Sequence, residues 1–100
     1  MNTHPRKLVT IVCEASAKAT VTKLLREVGA HGYTLFAVEG DGSRGKRPAD
    51  LPELANIQIE VLVQPAVAEN LLARLEKEFF SRYGWIAFES DVRVLRPKKF

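Results

Sequence analysis

The sequence predicts an α+β fold in which two βαβ units form a four-stranded antiparallel sheet with two helices on one face. Two segments have the apolar spacing of a helix, and each lies between segments with the β-branched content or the alternation of strands. The length of 100 residues is that of one domain. We therefore expect residues 1–100 to form a single domain.

The first βαβ unit occupies the N-terminal part of the chain. Leu8 to Cys13 is rich in β-branched residues, which favours a buried strand. The next apolar residues are spaced as one face of a helix: Ala17, Val21, Leu24, Leu25 and Val28. Gly29 follows where a helix commonly ends in the left-handed conformation. Tyr33 to Val38 is again aromatic and β-branched, and predicts the second strand.

The second unit repeats this order. Ile57 to Val63 has an apolar residue at every second position, the period of a strand with one buried face. Pro65 suits the first turn of a helix, and Gly84 is expected to end that helix. Its apolar stripe is Val67, Leu71, Leu72, Leu75 and Phe79. The last strand is predicted by an alternation in which apolar residues share one face, namely Ile86, Phe88, Val92 and Val94. The result is the ferredoxin-like βαβ-βαβ arrangement, whose open sheet face we expect to pack against other subunits.

A long loop between the units, about residues 40–55, is the first candidate for ligand binding. Its glycines let the backbone wrap a ligand, Ser43 can donate a hydrogen bond to a phosphate oxygen, and Arg44 and Arg47 can bind phosphate in bidentate fashion. The glycine and lysine spacing is not that of a Walker loop. The alternative interpretation is a solvated loop whose charges favour solubility.

A second basic cluster ends the fourth strand, where Arg93 and Arg96 follow the glycine-containing break Tyr83-Gly84-Trp85. In an oligomer of this fold, a loop after strand two can meet strand four of a neighbouring subunit. The arginines of both segments would then surround one anion. The alternative is an exposed basic tail.

Several other classes of protein are not expected. The net charge is +3, with basic and acidic residues interleaved, and strand three lacks the aromatic and basic residues that stack RNA bases. Residues 1–7 lack the apolar core of a signal peptide, and no apolar run is long enough to span a bilayer. The one cysteine, Cys13, lies in an apolar run and fits a reducing compartment. A cytoplasmic protein that binds no nucleic acid is expected.

Catalytic and metal-binding patterns are also missing from the sequence. His4, expected in a disordered terminus, and His31, expected in a turn, have no Cys, Asp or Glu at metal-ligand spacing. Ser43 has no base that the sequence identifies. We therefore expect neither an enzyme nor a metal cofactor. A phosphatase or other hydrolase is the least favoured hypothesis.

Four short motifs in order resemble the PII-like signalling proteins, and most closely the branch associated with carboxysomes and bicarbonate uptake. They are Lys7-Leu8-Val9, Gly32-Tyr33-Thr34, Gly42-Ser43-Arg44 with Arg47, and Asn56-Ile57. The resemblance extends over about residues 7–95. It implies a homotrimer with nucleotides in clefts between subunits and a mobile T-loop-like segment after strand two.

The resemblance also implies which residues bind the nucleotide. Contacts to the base and ribose fall at Gly32, Tyr33 and Thr34. Contacts to the phosphates fall at Ser43, Arg44 and Arg47. The neighbouring subunit's side of the cleft would be Gly84, Ile86 and Phe88, with Arg93 and Arg96 as further candidates.

The branch favours AMP or ADP, with bicarbonate as a candidate second ligand and a bicarbonate transporter or carboxysome component as a candidate partner. The loop has neither the tyrosine nor the glutamine of classical nitrogen-signalling PII proteins, so classical 2-oxoglutarate sensing is not expected. Two alternatives remain open. One is a protein-interaction module without a small-molecule ligand, and the other is a classical ATP-binding nitrogen-regulatory PII protein.

Overall fold

The structure is a computed structural model that describes residues 1–40 and 55–100. The described part contains strands and α-helices in the predicted order. The strands are β1 (His4–Glu14), β2 (Thr34–Val38), β3 (Asn56–Val63) and β4 (Ile86–Val94). The helices are α1 (Lys18–Val28) and α2 (Pro65–Glu78). Short 3-10 turns follow β1 at Ala15–Ala17 and β4 at Pro97–Lys99.

The sheet has the strand order β2-β3-β1-β4, and every neighbouring pair is antiparallel. Ile11 of β1 lies opposite Ile59 of β3 and Ala87 of β4, which fixes the register of the central strands. Strands β2 and β4 are the two edges of the sheet. This is the ferredoxin-like topology, and the predicted fold class is confirmed.

The core lies between the helices and one face of the sheet. Every second residue of β3 is buried, as the alternation predicted. The largest fully buried side chains are Ile11, Ile59, Leu71, Leu75, Val9, Val21 and Val61. Burial of each such side chain stabilises the fold by about 1.5–3 kcal/mol relative to exposure. Cys13 is buried in the same cluster.

The ends of the helices follow their sequence signals in two cases. Gly29 has φ 90°, and its N–H donates to the carbonyl of Arg26 at 3.2 Å, which ends α1 as predicted. Pro65 occupies the first turn of α2, where a missing N–H donor costs nothing. Neither helix in the described ranges has the length and apolar character needed to cross a bilayer.

Two local predictions were wrong. Helix α2 ends at Glu78 rather than near Gly84, because Phe79 and the residues after it turn so that aromatic rings can stack on Trp85. His4 begins β1 rather than lying in a disordered terminus, because it pairs with Val94 at the end of the long strand β4. The first difference comes from ring contacts among Phe79, Tyr83 and Trp85, and the second from the pairing of the two ends of the chain.

Candidate functional site

A pocket of about 520 Å³ opens beside the sheet at the start of β2. Residues from β1, β3, the turn before β2 and the C-terminal turn line it. The lining residues are Leu8, His31, Gly32, Tyr33, Thr34, Glu60, Leu62, Lys99 and Phe100. This volume lies within the range of pockets that hold small organic ligands, about 300–1,000 Å³.

The floor of the pocket is the sheet face turned away from the helices. Thr34 lies opposite Glu60, and Leu8 lies opposite Leu62. Residues directly opposite each other in a sheet project from the same face. Because Val61 between Glu60 and Leu62 is buried towards the helices, this group points to the other side. The floor therefore combines two leucines with a hydroxyl and a carboxylate.

Glu60 is the acidic group of the pocket. The side-chain amide of Gln58 donates a hydrogen bond to Glu60 Oε2 at 3.2 Å, and Gln58 lies two residues along the same face of β3. An ionised carboxylate accepts hydrogen bonds and repels anions. Glu60 therefore suits the hydroxyl or amino groups of a ligand rather than a phosphate.

One of the three predicted sets of nucleotide-binding residues lies at this pocket. Gly32, Tyr33 and Thr34 all line the pocket. The structure also adds residues that the sequence interpretation missed. Glu60 and Leu62 alternate with the buried residues of β3, a signal that was available in the sequence. Lys99 belongs to the basic cluster at the end of the sequence, but no pattern placed Lys99 or Phe100 beside the start of β2.

The other predicted residues lie elsewhere. Ile86 and Phe88 are on the open sheet face of β4, 56% and 50% exposed. Gly84 precedes β4, while Arg93 near its end and Arg96 beyond it are exposed. None of these residues lines the pocket that Gly32–Thr34 line within one chain. Ser43, Arg44 and Arg47 lie outside the described residues, as does most of the predicted loop.

The open face of the sheet carries further apolar groups. Phe36, Gln58, Val12 and Ile86 form one row across β2, β3, β1 and β4. The next row is Thr34, Glu60, Thr10 and Phe88. Phe36, Ile86 and Phe88 are all exposed on this face. Several exposed apolar side chains on one uncovered sheet face are typical of a protein–protein interface.

At the other end of the sheet, Trp85 connects the start of β4 to the end of β1. Its indole Nε1 donates to both carboxylate oxygens of Glu14. The Trp85 ring stacks on Tyr83 and Phe79 at centroid distances of 4.8 and 5.0 Å. These contacts fix the connection that carries Gly84. Beside them, the N–H of Ala15 donates to the carbonyl of Ala55 at 2.7 Å.

The shifted ionisable groups belong to surface ion pairs away from the pocket. A hydrogen bond to Asp91 raises the pKa of Lys7, and Glu89 lies 3.7 Å from the same ammonium. A hydrogen bond from Arg74 lowers the pKa of Glu78. Within the described ranges, no group of three or more His, Cys, Asp or Glu side chains could hold a metal ion.

Comparison with known proteins gives a consistent result over the whole chain. The sequence model of the family described as nitrogen regulatory protein P-II matches residues 6–99. The fold is similar to that of a PII-like signaling protein from Thermus thermophilus, with 40% identity and a TM-score of 0.88. That match covers 100% of this chain and 99% of the other.

A second similar protein is CPII from Thiomonas intermedia, a nitrogen regulatory PII-like protein. Its structure bound to ADP, AMP and bicarbonate has 30% identity and a TM-score of 0.91, and the match covers 99% of this chain and 96% of that one. Its structure bound to ADP and bicarbonate has 32% identity and a TM-score of 0.90, covering 99% and 97%.

Proposed function

Because the chain belongs to the P-II family of nitrogen regulatory proteins, we propose that it is a non-enzymatic signalling protein that binds AMP or ADP. The nucleotide lies between subunits of a homotrimer. The observation that carries this proposal is the pocket in which Gly32, Tyr33 and Thr34 meet Glu60.

The pocket suits the adenosine part of a nucleotide. Leu8 and Leu62 offer an apolar floor, and the ring of Tyr33, 45% exposed, offers a surface on which a base can stack. Glu60 accepts hydrogen bonds from ribose hydroxyls or from an exocyclic amine. The phosphates lie away from Glu60, since like charges repel.

The phosphates need cations that this pocket does not supply in sufficient number. We assign their contacts to Ser43, Arg44 and Arg47, together with Gly84, Arg93 and Arg96 of the neighbouring subunit. The placement of β2 and β4 at opposite edges of the sheet supports this division. Gly84, Arg93 and Arg96 do not line the pocket of their own chain, so we propose that they reach the ligand from a second subunit.

The exposed apolar face supports association of subunits. Phe36, Ile86 and Phe88 lie on the side of the sheet that no helix covers. A chain of 100 residues buries a modest share of its surface, so covering this face by association adds stability. We propose that the open faces of the subunits pack together and that Ile86 and Phe88 border the nucleotide cleft.

Bicarbonate is the proposed second ligand. The CPII structures that hold ADP together with bicarbonate support this choice. A protein that binds both ligands could regulate inorganic-carbon metabolism. Its proposed partner is a bicarbonate transporter or a carboxysome component. We place the protein in the cytoplasm, a reducing compartment that suits the buried thiol of Cys13.

Titration calorimetry tests the proposal. Purified protein is titrated with AMP, ADP, ATP and cyclic AMP, each with and without bicarbonate. We expect saturable binding of AMP or ADP, and a bicarbonate-dependent change in affinity if the two ligands are coupled. Absence of binding by every adenine nucleotide would contradict the proposed function and favour an interaction module without a small ligand.

A further inference from the structure

The turn before β2 places a histidine at the pocket. His31 lies two residues beyond the left-handed cap Gly29 and lines the pocket beside Gly32. We propose that His31 is a charged contact of the nucleotide site, so that protonation of its imidazole strengthens the binding of ADP. The inference rests on the proposed function and adds regulation by pH to its site.

The imidazole of His31 is available to a ligand. The residue is exposed and belongs to neither α1 nor β2. Among the residues that the structure describes, none holds this side chain in a hydrogen bond or an ion pair. A charge on the ring is therefore not offset by a fixed partner in the described part of the chain. Its electric field acts on whatever occupies the pocket.

The other charges of the pocket come from two different elements. Glu60 of β3 supplies a carboxylate, and Lys99 of the C-terminal turn supplies an ammonium group. Tyr33 is the remaining titratable side chain of the described lining. The charges of Glu60 and Lys99 offset each other, so protonation of His31 adds one positive charge to a lining that is otherwise balanced. A more positive lining favours a polyanion such as ADP.

The charge of a histidine depends on pH where the other side chains of such a site keep theirs. Of the residue types that line the pocket, histidine is the one that ordinarily changes charge between about pH 5 and about pH 8. The arginines that we assign to the phosphates stay protonated throughout this range, because guanidinium does not lose its proton in proteins. The site would therefore bind ADP more tightly as the pH falls, through His31.

The test measures the affinity for ADP by calorimetry in the wild type and in His31→Gln, each at about pH 8 and at about pH 6. At the lower pH the wild type should bind ADP about two- to fivefold more tightly than the variant, and at the higher pH the two proteins should bind it alike. The two proteins are compared at equal pH because the terminal phosphate of ADP itself titrates near about pH 6.

The second histidine of the chain provides a matched control. His4 begins β1 opposite Val94 and does not line the pocket, so His4→Gln should keep the pH dependence of the wild type. His31→Lys carries a positive charge at both pH values and should bind ADP more tightly than the wild type at about pH 8. High salt should reduce the difference between the wild type and His31→Gln at the lower pH, because it screens charges near the surface.

Three results would overturn the inference while the proposed function survives. The wild type and His31→Gln could bind ADP equally well at both pH values, their difference could be the same at both, or it could be unaffected by salt. Each result would mean that the charge of His31 does not act on the nucleotide. If the wild type binds no adenine nucleotide at either pH, the proposed function and the inference both fail.

Discussion

The indole nitrogen of Trp85 lies 3.0 and 2.9 Å from the two carboxylate oxygens of Glu14, so the residue directly before β4 is hydrogen-bonded to the last residue of β1. Trp85 is only 6% exposed, so the residue is largely shielded from water. This contact sets the position of Gly84, which we assign to the neighbour's side of the nucleotide cleft.

Replacing Glu14 with alanine should destabilise the protein by about 1–3 kcal/mol, because the buried indole donor loses its acceptor. Glu14→Gln should lose less stability, since the amide oxygen can still accept the hydrogen bond from the Trp85 indole. Thermal unfolding followed by fluorescence checks this, and Trp85 is the single tryptophan of the chain. Equal stability of Glu14→Ala and the wild type would show that the contact contributes nothing.

Gly29→Ala should lower the free energy of unfolding by about 1–2 kcal/mol, because an alanine at φ 90° is strained. Gly32→Ala is the control for stability: Gly32 has no positive φ and has nothing within 4 Å of an added Cβ. Urea unfolding measures both variants. Equal losses in the two variants would argue against a special role of the left-handed cap.

The topology was predictable from the sequence because its signals are local. Alternation in β3 gives its buried face, and Gly29 and Pro65 mark helix ends through backbone conformation alone. The end of α2 was not predictable in this way. It depends on the stacking of Phe79 with Trp85, a contact that appears only once the chain has folded.

The site was predictable only in part, because some of its residues come together only through contacts made in the folded chain. The turn at Gly32–Thr34 was recognised by resemblance, and Glu60 could have been found from the parity of β3. Phe100 enters the pocket through a hydrogen bond from Arg6, 94 residues away. No pattern of neighbouring residues encodes that contact.

Acid should reduce the contribution of the Arg74–Glu78 pair to stability. A hydrogen bond from Arg74 lowers the pKa of Glu78 below 4.5, so the unfolded state binds the proton more tightly. The contribution is present above pH 4.5 and is lost as the pH falls through the lower pKa of the folded state. Arg74 also contacts Glu27 of α1 at 2.9 Å.

The measurement is the chemical shift of the Glu78 carboxyl carbon between about pH 7 and about pH 2 in the wild type and in Arg74→Gln. The titration midpoint should be lower in the wild type, and the difference should shrink at high salt because the pair is at the surface. A midpoint that does not change with the substitution would contradict the assigned cause.

Phe88→Glu should dissociate the proposed trimer, because a charge would be buried in the apolar contact between open sheet faces. Light scattering after size-exclusion chromatography gives the mass. Asn70→Glu is the control, since it adds the same charge at an exposed position of α2, on the opposite side of the sheet. A wild-type monomer, or a trimer that Phe88→Glu leaves intact, would contradict association through this face.

Subunit complementation tests most directly whether the nucleotide site is shared between subunits. Glu60→Ala and Arg96→Ala each remove one proposed side of the cleft, so neither homotrimer should bind ADP with wild-type affinity. In trimers that mix both variants, prepared by co-expression with two different tags, one cleft combines an intact Glu60 with an intact Arg96 of its neighbour.

Calorimetry on the purified mixed trimers should therefore recover a fraction of sites with wild-type affinity for ADP. Mixed trimers that bind ADP as weakly as the two homotrimers would mean that both residues must come from the same chain. That result would contradict a cleft formed between subunits.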